Sequence, residues 1–306
     1  MAMSNEIDYS KKWFVMAAVA MGIFLATIDG SIVNIALPTF IKEFNQPLST
    51  VEWVVLAYLL TVTTLLISMG RLADMIGKKP LYVTGFSIFT LGSILCGVSS
   101  SVGMLIGFRV FQAIGASMMM GLGMAIVTEA FPKDERGKAL GITGVMVSLG
   151  VIAGPSIGGI ILENLSWHWL FFVNIPVGLI GIPMVLRFVP FIRPAGKQQF
   201  DYWGAILLFI SLAGLLLALS LGQELGYGAP LILALFGLFL AGLAAFLWVE
   251  RSVPQPMVEL QLFKNEWFSI SLLTGLMTFV ASAGTILLLP FFLQDILHLS
   301  PRTAGL

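Results

Sequence analysis

Residues 70–79 read GRLADMIGKK and stand between two apolar runs, each long enough to cross a bilayer. Charges gathered this densely cannot lie in hydrocarbon, where every polar group must find its partner inside the protein. The stretch reads as a polar hinge between two spanning helices. It packs Arg71, Asp74, Lys78 and Lys79 into one short turn, with Gly70 and Gly77 letting the chain bend sharply and the helices approach. An ordinary basic cytoplasmic loop would explain the lysines. It would not explain the spacing of the glycines and the aspartate.

The rest of the chain agrees with a membrane setting. Of its 306 residues 58% are hydrophobic and only 10% charged, with a mean hydropathy of +0.98. That excludes a soluble domain, and nothing in the composition points to nucleic acid. Nine spans are expected, at roughly 13–36, 51–69, 81–98, 104–128, 139–162, 168–187, 203–222, 229–249 and 267–293, each near the ~20 residues a bilayer requires. With a cytoplasmic amino terminus, thirteen of the sixteen Lys and Arg residues fall inside, against Lys42 and Arg302 outside, and Arg109 lies within a span. That asymmetry sets the orientation. The seven tryptophans all fall at span ends, where an indole can be half wet. The first span is too long for a signal-peptide core and is expected to remain as an anchor.

The spans group in threes. Spans 1–3 and 4–6 make a six-helix bundle over residues 1–188, laid out as two inverted three-helix repeats. The loop EAFPKDERGKALG, residues 129–141, takes the place in the second repeat that GRLADMIGKK takes in the first. Residues 189–202, with Pro190 and Pro194 among charges, read as a cytoplasmic linker. Two further helices occupy 203–250, uncharged in their interiors. Residues 251–306 look like the start of a second bundle that the chain does not complete.

Two buried charges carry the functional argument. Asp29 lies deep in the first span, where an ionised carboxylate costs at least ~2.5 kcal/mol. At ~1.5 Å per residue it stands about 10 Å from the outer end of its helix, and Arg109 about 8 Å from the outer end of the fourth. The two can share a depth. Burial favours the neutral acid and a guanidinium the anion, so a carboxyl under both pressures can take up and release a proton. The alternative is a static ion pair that only orients two helices. Gln112, three residues from Arg109, shares its helix face. Asn34 and Gln112 are the candidate substrate contacts, although an interhelical hydrogen bond explains Asn34 equally well. Among Met118, Met119, Met120 and Met124, lipid contact is the expected default. Gly150, Gly154 and Gly158 recur every four residues, with Pro155 and Gly159 beside them, and form a smooth stripe for a neighbouring helix.

Cys96 is the single cysteine, so neither a disulfide nor a metal set is expected. His168 is read as interfacial packing. There is no phosphate-binding loop and no nucleophile triad. The chain is thus expected to be a transporter and not an enzyme, and to need no cofactor beyond a proton gradient.

The decapeptide resembles the loop between helices 2 and 3 of the major facilitator superfamily, Gly-x-Leu-Ala-Asp-Arg-x-Gly-Arg-Lys, with Met75 where that family usually has arginine. DGSIVNIALP (29–38) resembles the first-helix motif of its fourteen-helix drug:proton antiporter branch, with Ser31 replacing threonine. RVFQAIG (109–115) resembles the helix 4 pattern Arg-x-x-Gln-Gly-x-Gly, with Ala113 for the first glycine. SLGVIAGPSIGGII (148–161) is similar to the antiporter motif of facilitator exporters, and SWHWLFFVNIPVGL (166–179) to the start of helix 6 in the same branch. The resemblance covers the whole chain. It implies an all-α, multi-pass protein of the bacterial inner membrane, exporting amphipathic small molecules against protons, with Asp29 as the proton site and Arg109 tuning it. It also implies that residues 70–79 gate the cytoplasmic side by latching onto a second bundle, which the Gly154–Pro155 stripe faces as well. The other readings are a facilitator importing a metabolite, and a nontransporting fragment or half-transporter that needs a second chain. The expected partners are a small amphipathic substrate and the lipid bilayer, with a carboxyl-terminal half or a periplasmic adaptor as further ones.

Overall fold

The first span sits where its composition puts it. Helix α1 (Lys12–Ile32) is apolar nearly all round and buries Val15, Ala18, Val19, Leu25, Ala26 and Ile32 together with Asp29, as a helix at the centre of a bundle must. In a computed structural model of the protein, the backbone of residues 9–191 and 201–291 is described, with side chains to residue 281. The chain leaves α1 through a 3₁₀ stretch, Val33–Ala36, and enters α2 (Leu37–Phe44), which ends on Asn45 in the left-handed conformation at φ 49°. The tighter 3₁₀ winding lets Pro38 sit in the first turn of a new helix, where its missing N–H costs nothing. The first membrane crossing therefore runs eight residues beyond the predicted end at 36.

A short turn, α3 (Leu48–Val51), leads into α4 (Trp53–Ile76). Then come α5 (Lys78–Gly97), α6 (Val102–Ala130), α7 (Arg136–Asn164), the one-turn α8 (Trp169–Phe172), α9 (Asn174–Phe188), α10 (Tyr202–Leu225) and α11 (Pro230–Ser252). No strand occurs among the described residues. Eight helical stretches among them are long and apolar enough to cross a membrane, and the ninth expected span corresponds to α12 (Glu266–Phe291). The residues from Val258 onward form a unit of their own, in which Asn265 Oδ1 caps α12 by accepting from the amides of Trp267 and Phe268. Residues 192–200, most of the expected linker, lie outside the described residues, as do His298 and Arg302.

Within the first six spans the packing pairs are α1 with α7, α4 with α6, α5 with α6, α1 with α9, α1 with α6 and α5 with α9. This set maps onto itself when the first three spans are exchanged with the next three, the relation expected of two repeats about a twofold axis. Helices α10 and α11 form a separate hairpin leaning on α4, joined by Ser211 Oγ donating to the Phe239 carbonyl at 2.9 Å.

Small residues set these distances, since apolar burial drives little association between helices already in lipid. A Cβ on Gly115 of α6 would stand 2.5 Å from the Phe89 amide nitrogen and 2.6 Å from the Gly85 carbonyl of α5, both backbone atoms with no room to yield. Gly115→Val should therefore destabilise the bundle by about 2–3 kcal/mol. Gly107→Ala, with nothing within 4 Å, should be neutral or slightly stabilising. Thermal melts of the purified proteins check the pair. The same close approach corrects the reading of the methionines: Met118 and Met119 are buried against α5 and only Met124 is strongly exposed.

Two sequence readings need further correction. GRLADMIGKK is not a ten-residue turn: Gly70–Ile76 form the last two turns of α4, and the chain breaks at Gly77 alone, with φ 98°. Leu72 and Ala73 explain this, because both pack on the bundle core and continue its apolar face past the charges. Gly70 is an ordinary helical residue with open space around it. Trp167, expected half wet, is buried between Phe40 and Phe171 with His168 stacked on it at 3.8 Å. The other six tryptophans are at least partly exposed at helix ends.

Candidate functional site

Asp29 and Arg109 meet. The guanidinium on α6 donates through Nη1 to Asp29 Oδ2 on α1, and both side chains have no solvent exposure. Arg109 is held on three further sides: Nε donates to the Val54 carbonyl of α4 at 3.1 Å, Nη1 to Gln112 Oε1 at 2.8 Å, and the Tyr58 ring lies 4.0 Å away under the guanidinium carbon. Its Nη2 has no partner among the described residues. A buried cation on an aromatic face gains about 2 kcal/mol or more once water is excluded.

The other carboxylate oxygen is held by amides. Asp29 Oδ1 accepts from Gln112 Nε2 at 2.9 Å and from Asn174 Nδ2 at 2.7 Å. Both amides also donate to Ser93 Oγ on α5, at 2.8 and 3.3 Å. Cys96, one turn from Ser93, places its thiol 3.7 Å from Gln112 Oε1. Helices from all six spans of the bundle thus bear on the site or its supports, with α7 entering through α1. Asn174 stands in the first turn of α9, which follows α8 through Val173 in right-handed helical conformation, and its amide reaches Asp29 from there.

This arrangement relocates one predicted residue. Gln112 was expected to face substrate, yet it is fully buried in the charge cluster with its amide committed to Asp29, Arg109 and Ser93. Its spacing from Arg109 placed both on one helix face, and that face turns inward. Asn34 does face open space. It donates to the Gly30 carbonyl at 3.2 Å and lines a cleft of about 440 Å³ between α4 and α10, with Glu52, Val55, Leu56, Leu216 and Gln223. Leu56, Leu216 and Ser220 continue into a more apolar space of about 290 Å³. Val55 on the cleft wall follows Val54, whose carbonyl holds Arg109. The cleft and the buried pair are therefore adjacent along one helix.

The glycine stripe also faces elsewhere than expected. Gly150, Gly154 and Gly158 pack onto α1, not toward a second bundle: Cβ atoms there would stand 2.0 Å from Thr27 Oγ1, 1.9 Å from Ser31 Oγ and 2.8 Å from an Ile35 methyl. Ser31 Oγ donates to the Gly150 carbonyl at 2.9 Å. Gly159 lies at the edge of this contact, and α7 runs unbroken through the exposed Pro155. The hydroxyl at Ser31 thus joins helices. Two residues apart and so on nearly opposite faces of one turn of α1, Asp29 meets α6 and Ser31 meets α7.

At the basic end of the bundle, Lys78 pairs with Glu129 across the α5–α6 contact, and Lys12 with Glu135 at 2.5 Å. The expected gating loop and its counterpart at residues 129–141 are therefore both tied into the first bundle. Arg71 Nη2 donates to Gln255 Oε1 at 3.1 Å, in the segment after α11. Asp74 is exposed, and Lys79 lines a nearby cavity. The sequence reading missed Ser93, Tyr58 and Cys96 as site residues. Asn174 stood in a quoted motif without a role, although an amide in an apolar span was a usable signal.

The family model for the Major Facilitator Superfamily matches residues 19–306. The chain belongs to that superfamily. It is a multi-pass membrane protein, and its facilitator-type helices carry the charge cluster at their centre. Curated relatives include the riboflavin transporter RibZ of Clostridioides difficile, 41% identical over 96% of this chain and 64% of that protein. The multidrug transporter MdtP of Bacillus subtilis is 35% identical over 100% of this chain and 56% of its own length. The multidrug resistance protein Stp of Mycobacterium tuberculosis is 32% identical over 95% of this chain and 54% of its own. The chain thus spans between about half and two thirds of the length of these facilitator relatives.

Proposed function

We propose that the protein is a proton-coupled antiporter that exports amphipathic small molecules across the bacterial inner membrane, with its amino terminus in the cytoplasm. The observation that carries this reading is the sealed carboxylate of Asp29, balanced by the single guanidinium of Arg109. Static helix orientation does not require a charge at all, since apolar residues of the same volume serve as well or better. A carboxylate whose oxygens are fully engaged changes every contact around it when it takes a proton. Protonation from the outer side removes the counter-charge of Arg109, and the guanidinium then leans on the Val54 carbonyl, Gln112 and Tyr58. Because Val54 adjoins the cleft and Ser31 ties α1 to α7, the cleft feels the change directly. Release of the proton inward restores the pair and resets the cleft. A charge moving through ~100 mV supplies about 2.3 kcal/mol for this cycle.

The substrate site in this reading is the cleft at Asn34, whose polar mouth and leucine-lined interior suit an amphipathic molecule. MdtP and Stp, both named for multidrug transport or resistance, support that substrate class. The higher identity to a riboflavin transporter favours a second reading, a carrier of a flavin-like vitamin. Inside-out vesicles distinguish the two. Ethidium added to vesicles with an imposed proton gradient should release protons, read as recovery of a quenched acridine dye. Absence of that release, with labelled riboflavin accumulating in whole cells, would establish the second reading.

A further inference from the structure

We infer that the basic end of the bundle holds a binding site for the phosphodiester headgroup of an anionic phospholipid, in a cavity between the ends of α1, α5 and α9. The cavity measures about 230 Å³, and four of its ten lining side chains are cations: Lys11, Lys12, Lys79 and Arg187. Three separate helices bring them together from positions far apart in sequence. Lys12 is paired with Glu135. Lys79 and Arg187 form no ion pair among the described residues. Among the described residues, the guanidinium of Arg187 stands over the ring of Phe188, at 5.9 Å. Lys79 is the second residue of α5, a helix whose amino terminus has no side-chain cap, so unsatisfied amides add positive potential to the same wall. Unmatched cations facing one small space call for an anion, and phosphate oxygens are the acceptors that suit several Lys and Arg donors at once.

The surroundings select a lipid over a free phosphate ion. Next to the cations the surface is aromatic and open: Phe14, 54% exposed, stacks on Phe188 at 4.6 Å, and Phe191 on the cavity wall is 50% exposed. The cavity has room for a headgroup only, and acyl chains leaving it would run over these rings into the bilayer. Basic pockets between spanning helices on the cytoplasmic side recognise anionic lipids by this combination. The site does not depend on what the protein carries.

The test uses the delipidated chain in detergent, titrated with phosphatidylglycerol, phosphatidylethanolamine of the same acyl composition, or inorganic phosphate. Bound lipid is counted by native mass spectrometry and melting temperature is followed in parallel. Phosphatidylglycerol should bind and raise the melting temperature, phosphatidylethanolamine should bind at least about tenfold more weakly, and phosphate alone should do neither. The double substitution Lys79→Gln/Arg187→Gln should weaken phosphatidylglycerol about thirtyfold. Lys79→Arg/Arg187→Lys should retain it, as should Lys42→Gln/Lys133→Gln, which removes equal charge elsewhere. Equal binding of the two lipids by the wild-type chain would overturn the inference, as would stabilisation by phosphate alone.

Discussion

Replacing Arg109 by methionine should lower the stability of the folded chain by about 3–5 kcal/mol, because it strands Asp29 as an uncompensated charge inside the bundle. Gln112 and Asn174 would still donate to Oδ1, but amide dipoles do not replace a cation on the Oδ2 side. The reverse single change, Asp29→Asn, should cost less. It leaves Arg109 with the Val54 carbonyl, Gln112 and the Tyr58 ring, which together disperse much of its charge. The double substitution should recover most of the loss, with a coupling between the two sites of about 2–3 kcal/mol. Melting of the four proteins in one detergent closes this cycle. Purely additive effects would mean that the two charges do not stabilise each other, and the site would then have to be held by its amides.

The fold was legible because bilayer physics leaves few choices: runs of ~20 apolar residues must be helices, and basic loops must gather on one side. What escaped the reading depends on direction around a helix, which composition does not encode. Gln112 and the cleft are one case, the glycine stripe another. Spacing shows that residues 150, 154 and 158 share a face, but only packing shows that Thr27 and Ser31 of α1, with Ile35 in the 3₁₀ stretch that follows, fill it. Helix ends were misjudged where a polar residue did not stop a helix. Gly70 and Arg71 remain in α4 because Leu72 and Ala73 have core to bury. The site itself was half visible. A buried Asp and Arg stand out against an apolar background, whereas Ser93, Cys96 and Tyr58 are common in spanning helices and gain meaning only from their neighbours.

The largest functional effect expected is at Asp29. Asparagine has nearly the shape of the protonated aspartic acid, with a donor where the acid would carry its proton and an acceptor left for the amides of Gln112 and Asn174. Asp29→Asn should therefore hold the site permanently in its protonated arrangement. In the vesicle assay, ethidium-driven proton release should fall to the level of vesicles without the protein, because a group that cannot titrate cannot couple. Ethidium binding, measured by fluorescence polarisation, should persist, since Asn34, Glu52 and the leucines of the cleft are untouched. Asp29→Glu separates charge from packing. It retains a titratable carboxyl but forces one more methylene into a fully buried site, at a cost of about 1–3 kcal/mol in stability, so it should melt earlier than Asp29→Asn and yet still release protons. Were Asn to couple and Glu to fail, Asp29 would be a packing element and the proton site would have to lie elsewhere. The opposite order, loss with the well-fitting amide and retention with the poorly fitting acid, has no explanation in packing and requires a carboxylate that exchanges its proton.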